Sequence, residues 1–288
     1  MENDMQKKVV LVTGGTNGIG LVTARELARM DGQVTIIGRN PVKCSEAVEH
    51  IQVQTGQTVA AIVADLSTLA GIRHAADVFK ETHQALHMLV NNAGGMFTRR
   101  RLTPDGFEYT FALNHLNYFL LTSLLLDLLK ASAPARIINV SSNAHERARI
   151  DFDNLQGEKH YDGLKAYGQS KLANLLFTYE LARRLEGIGV TVNAVHPGFV
   201  ATGFARNNGP IYNVGTWMAG RLFGRTPERG AQTSIYLASS PEVEGLSGKY
   251  FVDCRPAESK PQSHDRLVAE KLWQVSEELI ARAGRKKR

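Results

Sequence analysis

The sequence predicts an α/β fold: a single domain built on a doubly wound, seven-stranded parallel sheet with helices on both faces. Three observations carry this. Short runs rich in Val and Ile alternate with segments of helical periodicity along the chain. The apolar runs are near-continuous, as strands covered on both faces require. No tandem repeat and no Pro/Ser-rich linker divides the 288 residues.

KVVLVTGG (Lys8–Gly15) is the first strand, and GIGLVTARELARM (Gly18–Met30) is a helix by its apolar spacing. Gln33–Asn40 is the second strand. Pro41–Gly56 is a helix opened by proline and closed by glycine. Thr58–Leu66 is the third strand, Thr68–Thr82 a helix and His87–Gly94 the fourth strand. Pro104–Lys130 reads as one long helix, open to interruption. Arg136–Ser142 is the fifth strand, Tyr167–Glu186 a helix and Val190–Gly198 the sixth strand. Thr226-Pro227-Glu228 starts a helix over Pro227–Ser240, and Gly248–Asp253 is the seventh strand. Pro256–His264 is polar and is expected to loop over the surface before a terminal helix, His264–Ile280. Residues 1–255 then form the body of the domain, and 256–288 a C-terminal loop, helix and basic tail on that same domain.

Hydrophobic residues make up 43% and charged residues 22%, which suits a soluble globular chain and excludes a disordered one. The net charge of +6 is scattered, apart from the tail ARAGRKKR, which reads as a solvated end. No nucleic-acid partner is expected. Two cysteines, Cys44 and Cys254, make no disulfide framework and fit a reducing, cytoplasmic home. No CxxC or HExxH supports a metal site. The start lacks a signal-peptide pattern. The most apolar run, Phe119–Leu129, is short for a membrane span and contains Asp127, so no span is expected.

TGGTNGIG (Thr13–Gly20) lies between the first strand and the first helix. Gly14 permits a tight turn, Gly18 lets backbone approach a pyrophosphate, and Gly20 allows close helix–strand packing. Amides near Gly18 and Ile19 offer an anion site. In this setting the stretch reads as the dinucleotide turn of a Rossmann fold; Leu21 after Gly20 excludes a Walker A loop. An NAD site usually has Asp or Glu about 20 residues further on. Here the second strand ends in Gly38-Arg39-Asn40, and a cation there attracts a 2′-phosphate. NADP is the expected cofactor, with NADPH preferred over NADH. Asp65, beside Leu66, either accepts from the adenine amino group or caps the next helix. Asn92, Ala93 and Gly94 in NNAG let a cofactor lie against backbone. Thr16 and Asn17 complete the candidate nucleotide contacts on this sheet edge.

Four side chains near the same edge suit carbonyl–alcohol redox chemistry. They are Asn114 in FALNHLNYF, Ser142 in INVSS, and Tyr167 and Lys171 in YGQSK. A spacing of four puts Tyr167 and Lys171 on one helix face. Tyr167 can give or take the proton at a carbonyl oxygen, and Lys171 together with the positive ring of an oxidised nicotinamide would lower its ordinary pKa of about 10. Ser142 can hold the substrate oxygen, Lys171 the cofactor ribose, and Asn114 a water beside Lys171.

Together TGGTNGIG, NNAG, Asn114, Ser142, YGQSK and HPGFVAT resemble the short-chain dehydrogenase/reductase family over about Lys8–Asp253. The resemblance implies a catalytic tetrad of Asn114, Ser142, Tyr167 and Lys171, with Ser141 as the fallback serine. It implies that Asn91 steadies the central sheet, and that Pro197, Gly198, Val200 and Thr202 contact the nicotinamide end. The long Ser142–Tyr167 span, NLQGEKHY, SKLANLLFTYELARRL and the C-terminal segment resemble the retinol dehydrogenase-like branch, which includes WW-domain oxidoreductases. This implies an NADP(H)-dependent oxidoreductase for a hydrophobic aldehyde, ketone or alcohol. The chain starts almost directly at the first strand, so a homologue without a membrane anchor is expected. In the family, the region matching residues 203–225 is a lid over the substrate; Phe204, Tyr212, Trp217 and Phe223 stand there. Phe97 and His145 are further candidates for substrate contact. The family pairs its long helices between subunits; homodimer, homotetramer and monomer all stay open. The alternative is a dinucleotide-binding regulatory protein with little or no turnover, against which the intact tetrad argues.

Overall fold

The structure, a computed structural model, describes residues 5–200 and 225–285. Its strands are β1 (Val9–Thr13), β2 (Gln33–Gly38), β3 (Ala60–Val63), β4 (Met88–Asn91), β5 (Ala135–Val140), β6 (Val190–His196), β7 (Lys249–Val252) and β8 (Arg255–Ala257). Its helices are α1 (Gly18–Arg29), α2 (Pro41–Thr55), α3 (Leu69–Thr82), α4 (Tyr109–Phe111), α5 (Asn117–Ala131), α6 (Gly163–Arg184), α7 (Pro227–Ser239) and α8 (Arg266–Arg285). The strands form one sheet in the order β3-β2-β1-β4-β5-β6-β7-β8. Neighbours run parallel except β7 and β8. The chain direction across the sheet reverses between β1 and β4, which opens a crevice at the carboxyl ends of those strands.

β1 shows how residues make the layers. All five of its side chains are buried. Alternate residues of a strand point to opposite faces. Val9 and Leu11 accordingly join the core under α3, α5 and α6, while Val10 and Val12 join the core under α1, α2 and α7. Side chains of Asn40, Thr68, Asp162 and Thr226 each accept amides of the first turn of α2, α3, α6 and α7.

Three expectations need correction. The sheet has eight strands rather than seven: Asp253 (φ 50°) and Cys254 (φ 61°) take left-handed backbone and turn the chain back as antiparallel β8. Cysteine rarely occupies such a turn, so the reversal had no sequence signal. The long helix starts at Tyr109, after a turn at Gly106 that pairs Leu102 with Glu108, and a π-helical stretch, Ala112–Leu116, interrupts it. α6 begins one turn before Tyr167, because Asp162 caps it.

Tyr109–Ala131 is long and apolar enough to cross a membrane by composition, and 67% of its most apolar window is buried inside the protein. α8 lies over the α5–α6 layer. Trp273 meets Phe119 edge-on at 4.8 Å and stacks on Phe177 at 5.8 Å, and the Arg184 guanidinium sits 3.9 Å from its ring. His115, fully buried, shares a hydrogen bond of 2.9 Å with Ser276 of α8.

Burial pushes the His115 imidazole down to about 3. Burial, with Arg225 and His145 nearby, pushes His196 down to about 4. Both fold as neutral rings. Between the unfolded value of about 6.5 and these folded values, the unfolded chain binds more protons, so stability falls as pH falls. Urea unfolding from pH 7 to pH 3 is expected to show this loss. His115→Gln, which keeps a partner for Ser276, is expected to flatten the slope without raising it at pH 7.

Candidate functional site

Thr13 ties the end of β1 to the end of β4. Its hydroxyl donates to Val90 O at 3.3 Å and accepts from the amides of Asn92 and Ala93 at 2.8 and 2.9 Å. The Asn92 amide side chain donates back to Thr13 O at 2.8 Å. These strand ends form the floor of the crevice. On that floor backbone lies directly on backbone. Gly14 has φ 66°, and a Cβ there would meet Ala93 Cα at 3.0 Å. A Cβ on Gly20 would meet Gly14 O at 2.3 Å. Any side chain at these positions would push the turn apart. Asn17 puts no side chain on the first amides of α1. Those amides and the helix dipole are left to hold an anion.

The cleft above has a volume of about 570 Å³. Gly14, Thr16, Asn17, Gly18, Ile19, Gly20, Arg39, Asp65, Leu66, Asn92, Ala93, Gly94, Pro197, Gly198 and Val200 line it. Asn40 does not: its side chain accepts from Lys43 N at 3.0 Å and is used as the cap of α2. Thr202 and residues 203–224 of the expected lid lie outside the described residues. Asp65 is not the cap of α3, a role taken by Thr68; its Oδ1 accepts from the Ser67 amide and hydroxyl at 3.0 and 2.7 Å. A glycine cradle, uncapped amides and Arg39 on the wall fit a phosphate-bearing dinucleotide.

At the other end of the cleft, the π-helical stretch sets Asn114. Such one-turn departures often mark functional sites. Asn114 is fully buried behind the wall. Its Oδ1 accepts from Gly95 N at 2.8 Å, and its Nδ2 donates to Gly95 O at 3.0 Å and to Ser170 Oγ at 2.9 Å. Ser170 Oγ donates to Tyr167 O at 2.7 Å. Asn114 therefore braces the loop after β4 against the turn of α6 that carries Tyr167.

Ser142, Tyr167 and Lys171 all line the cleft. The Tyr167 hydroxyl hydrogen-bonds with Ser142. Ser142 Oγ also accepts from Ala144 N at 3.2 Å. Ser141 is buried, and its hydroxyl donates to Lys171 O at 2.8 Å, which ties β5 to α6. Lys171 Nζ donates to Val140 O at 3.0 Å and lies 5.7 Å from the Tyr167 ring centroid. Burial pushes the Tyr167 phenol up to about 12, with the Ser142 hydrogen bond acting against it. Burial pushes the Lys171 ammonium down to about 7. Within the protein alone, loss of water disfavours both charged forms; the lowering expected of Lys171 with an oxidised nicotinamide concerns the bound state.

His145 does not line the cleft. It is 1% exposed, its Nδ1 shares 2.6 Å with Ser142 O, and its Nε2 accepts from Lys260 N at 3.5 Å. Tyr161 braces the wall from outside: its hydroxyl donates to Phe97 O at 2.8 Å and reaches Glu108 Oε1 at 3.0 Å. Phe97, together with Met96, Leu164 and Phe199, makes an apolar mouth beside Tyr167. Leu164 and Phe199 are 66% and 57% exposed. Sequence reading missed Leu164, although its place three residues before Tyr167 puts both on one helix face. Tyr109 and Leu113 of the wall were missed too, and no motif marks them.

The family model for short chain dehydrogenase matches residues 8–212. Retinol dehydrogenase 14 from Homo sapiens is 43% identical over 296 residues, covering 96% of this chain and 87% of its own length. Retinol dehydrogenase 12 from Homo sapiens is 46% identical over 274 residues, covering 95% and 86%. Among solved structures, an uncharacterized protein from Mycobacterium paratuberculosis matches with a TM-score of 0.79 at 32% identity, over 96% of this chain and 95% of that one. The RhlG/NADP active-site complex from Pseudomonas aeruginosa matches with a TM-score of 0.69 at 30% identity, over 87% and 96%.

Proposed function

The chain belongs to the short-chain dehydrogenase family, and from that premise we propose that it is an NADP(H)-dependent oxidoreductase interconverting a hydrophobic carbonyl compound and its alcohol. One observation carries the chemistry: the half-buried Tyr167, its hydroxyl hydrogen-bonded with Ser142, opens on a cleft whose mouth is apolar. The glycine turn and the α1 amides would hold the pyrophosphate, and Arg39 the 2′-phosphate. When bound, the nicotinamide supplies or accepts the hydride. Tyr167 keeps its proton near neutrality and gives it to the carbonyl oxygen as charge develops there. Ser142 orients that oxygen with its own hydroxyl, which also hydrogen-bonds with Tyr167. Lys171, held by Val140 O with its Nζ 5.7 Å from the Tyr167 ring centroid, would hold the cofactor ribose.

Relatives named retinol dehydrogenases direct the choice of substrate. A retinoid, or an aldehyde or ketone of similar size and polarity, fits the mouth formed by Phe97, Leu164 and Phe199. Cytoplasmic residence belongs to the same proposal, with Cys44 and Cys254 kept as thiols.

The test is NADPH oxidation with retinal, medium-chain aldehydes, steroids and aromatic ketones. Turnover of the larger apolar substrates is expected. Leu164→Ser and Phe199→Ser are each expected to raise KM for them about 5–10-fold, from roughly 1 kcal/mol of lost apolar burial. A short aldehyde should be unaffected. NADPH binding with no turnover of any class would favour a regulatory role instead.

A further inference from the structure

Arg39 leaves the end of β2 and reaches across the cleft. Its Nη1 donates to the Tyr109 hydroxyl at 2.8 Å. Both side chains line the cleft, as do Asp65 and Leu66 at the end of β3. The two ends of this tie are held from behind. A Cβ on Gly38, just before Arg39, would meet Thr16 Cγ2 at 2.3 Å, so the backbone there is packed on the glycine turn. Tyr109 opens α4, whose first amides are capped by Glu108, and its own amide donates to Arg101 O at 3.0 Å. The Tyr109 ring stands edge-on to Phe97 at 4.6 Å. Tyr109 is therefore a fixed post. Arg39 is a long, solvent-exposed side chain that would otherwise sample many rotamers.

We propose that Tyr109 is a determinant of cofactor choice: it positions the Arg39 guanidinium over the cleft for the 2′-phosphate that distinguishes NADPH from NADH. This rests on the function proposed above. A guanidinium has five N–H donors, and Tyr109 occupies one of them, which leaves four for a phosphate. The tie thus orders the cation without consuming it. Pre-ordering a binding group strengthens binding by lowering the entropy lost on association. NADH carries a hydroxyl in place of the phosphate and gains little from an ordered cation. Tyr109 acts only through Arg39, so the two residues must be coupled.

The experiment is calorimetric titration of the full chain with NADPH, NADH, adenosine 2′,5′-bisphosphate and 5′-AMP. The last two report the adenine end alone. Tyr109→Phe, Arg39→Ala and the double variant are run beside the parent, each checked by its melting temperature. Tyr109→Phe is expected to weaken NADPH and the bisphosphate about 3–10-fold and to leave NADH and 5′-AMP within twofold. Added to Arg39→Ala, it is expected to change nothing further. Equal weakening of all four ligands would mean a structural role and overturn the proposal. So would a Tyr109→Phe effect that persists without Arg39, unchanged binding, or tighter NADPH binding, the sign of a tie that obstructs the site. In all four cases a parent that prefers NADPH leaves the proposed function standing. A parent that binds NADPH no better than NADH overturns the cofactor preference and this inference with it.

Discussion

Tyr167→Phe is expected to lower kcat for carbonyl reduction by about 10²–10⁴-fold, the range of general-acid catalysis, and to leave NADPH affinity within about twofold. The substitution removes one hydroxyl and keeps the ring. That hydroxyl belongs to a residue that lines the cleft, and it hydrogen-bonds with Ser142. Ser142 retains Ala144 N as a partner, so the strand end should stay in place. The pH dependence follows from the raised phenol. With Tyr167 pushed up to about 12, the acid form is present throughout pH 6–9. Reduction should be flat over that window as far as this group decides. Alcohol oxidation needs the phenolate, whose fraction grows tenfold per pH unit below the pKa, so the oxidative rate should climb from pH 7 to 10. Steady-state rates in both directions, with NADPH fluorescence for binding, check this. More than a tenth of parental turnover in the variant would remove Tyr167 from the mechanism.

The parts of this site that the sequence displayed are those fixed by local covalent constraint. Gly14 and Gly20 must be glycine because backbone lies within 3.0 Å of any Cβ, and that requirement is visible as a motif. Tyr167 and Lys171 share a face because helical spacing puts them there. What stayed hidden depends on partners far along the chain. A π-helical departure turns the Asn114 amide onto Gly95 and Ser170, and no periodicity announces that turn. His145 looks like a loop histidine and is buried because the segment at Lys260 and Gln262 closes over it. β8 exists because Asp253 and Cys254 accept left-handed backbone against their preference. The raised phenol of Tyr167 stayed hidden for a related reason. The charge of Lys171 is legible in the sequence, whereas the depth at which both groups are buried is a property of the assembled core.

Lys171→Met is expected to stabilise the cofactor-free protein near pH 7 while cutting kcat by at least about 10²-fold. The lysine stem is buried, and methionine retains most of its apolar volume. Val140 O, which accepts from Lys171 Nζ, also accepts from Asn174 Nδ2 at 3.3 Å, so it keeps a donor. The cost of the lysine is its charge. Its folded pKa of about 7 lies below the unfolded value of about 10.4. Between the two, the unfolded chain binds one more proton than the folded one, so stability rises with pH over roughly pH 7–10.4. Below about pH 7 the full penalty of a buried ammonium is present. Methionine has no such term, and the difference in melting temperature between variant and parent should therefore be largest at pH 7 and shrink toward pH 10. A difference that is constant with pH, or a variant less stable at pH 7, would mean that Lys171 is already solvated or paired in the free protein. A site that destabilises its own fold in this way holds the ammonium for a ligand that can supply the missing contacts, and NADPH is expected to raise the melting temperature of the parent more than that of Lys171→Met.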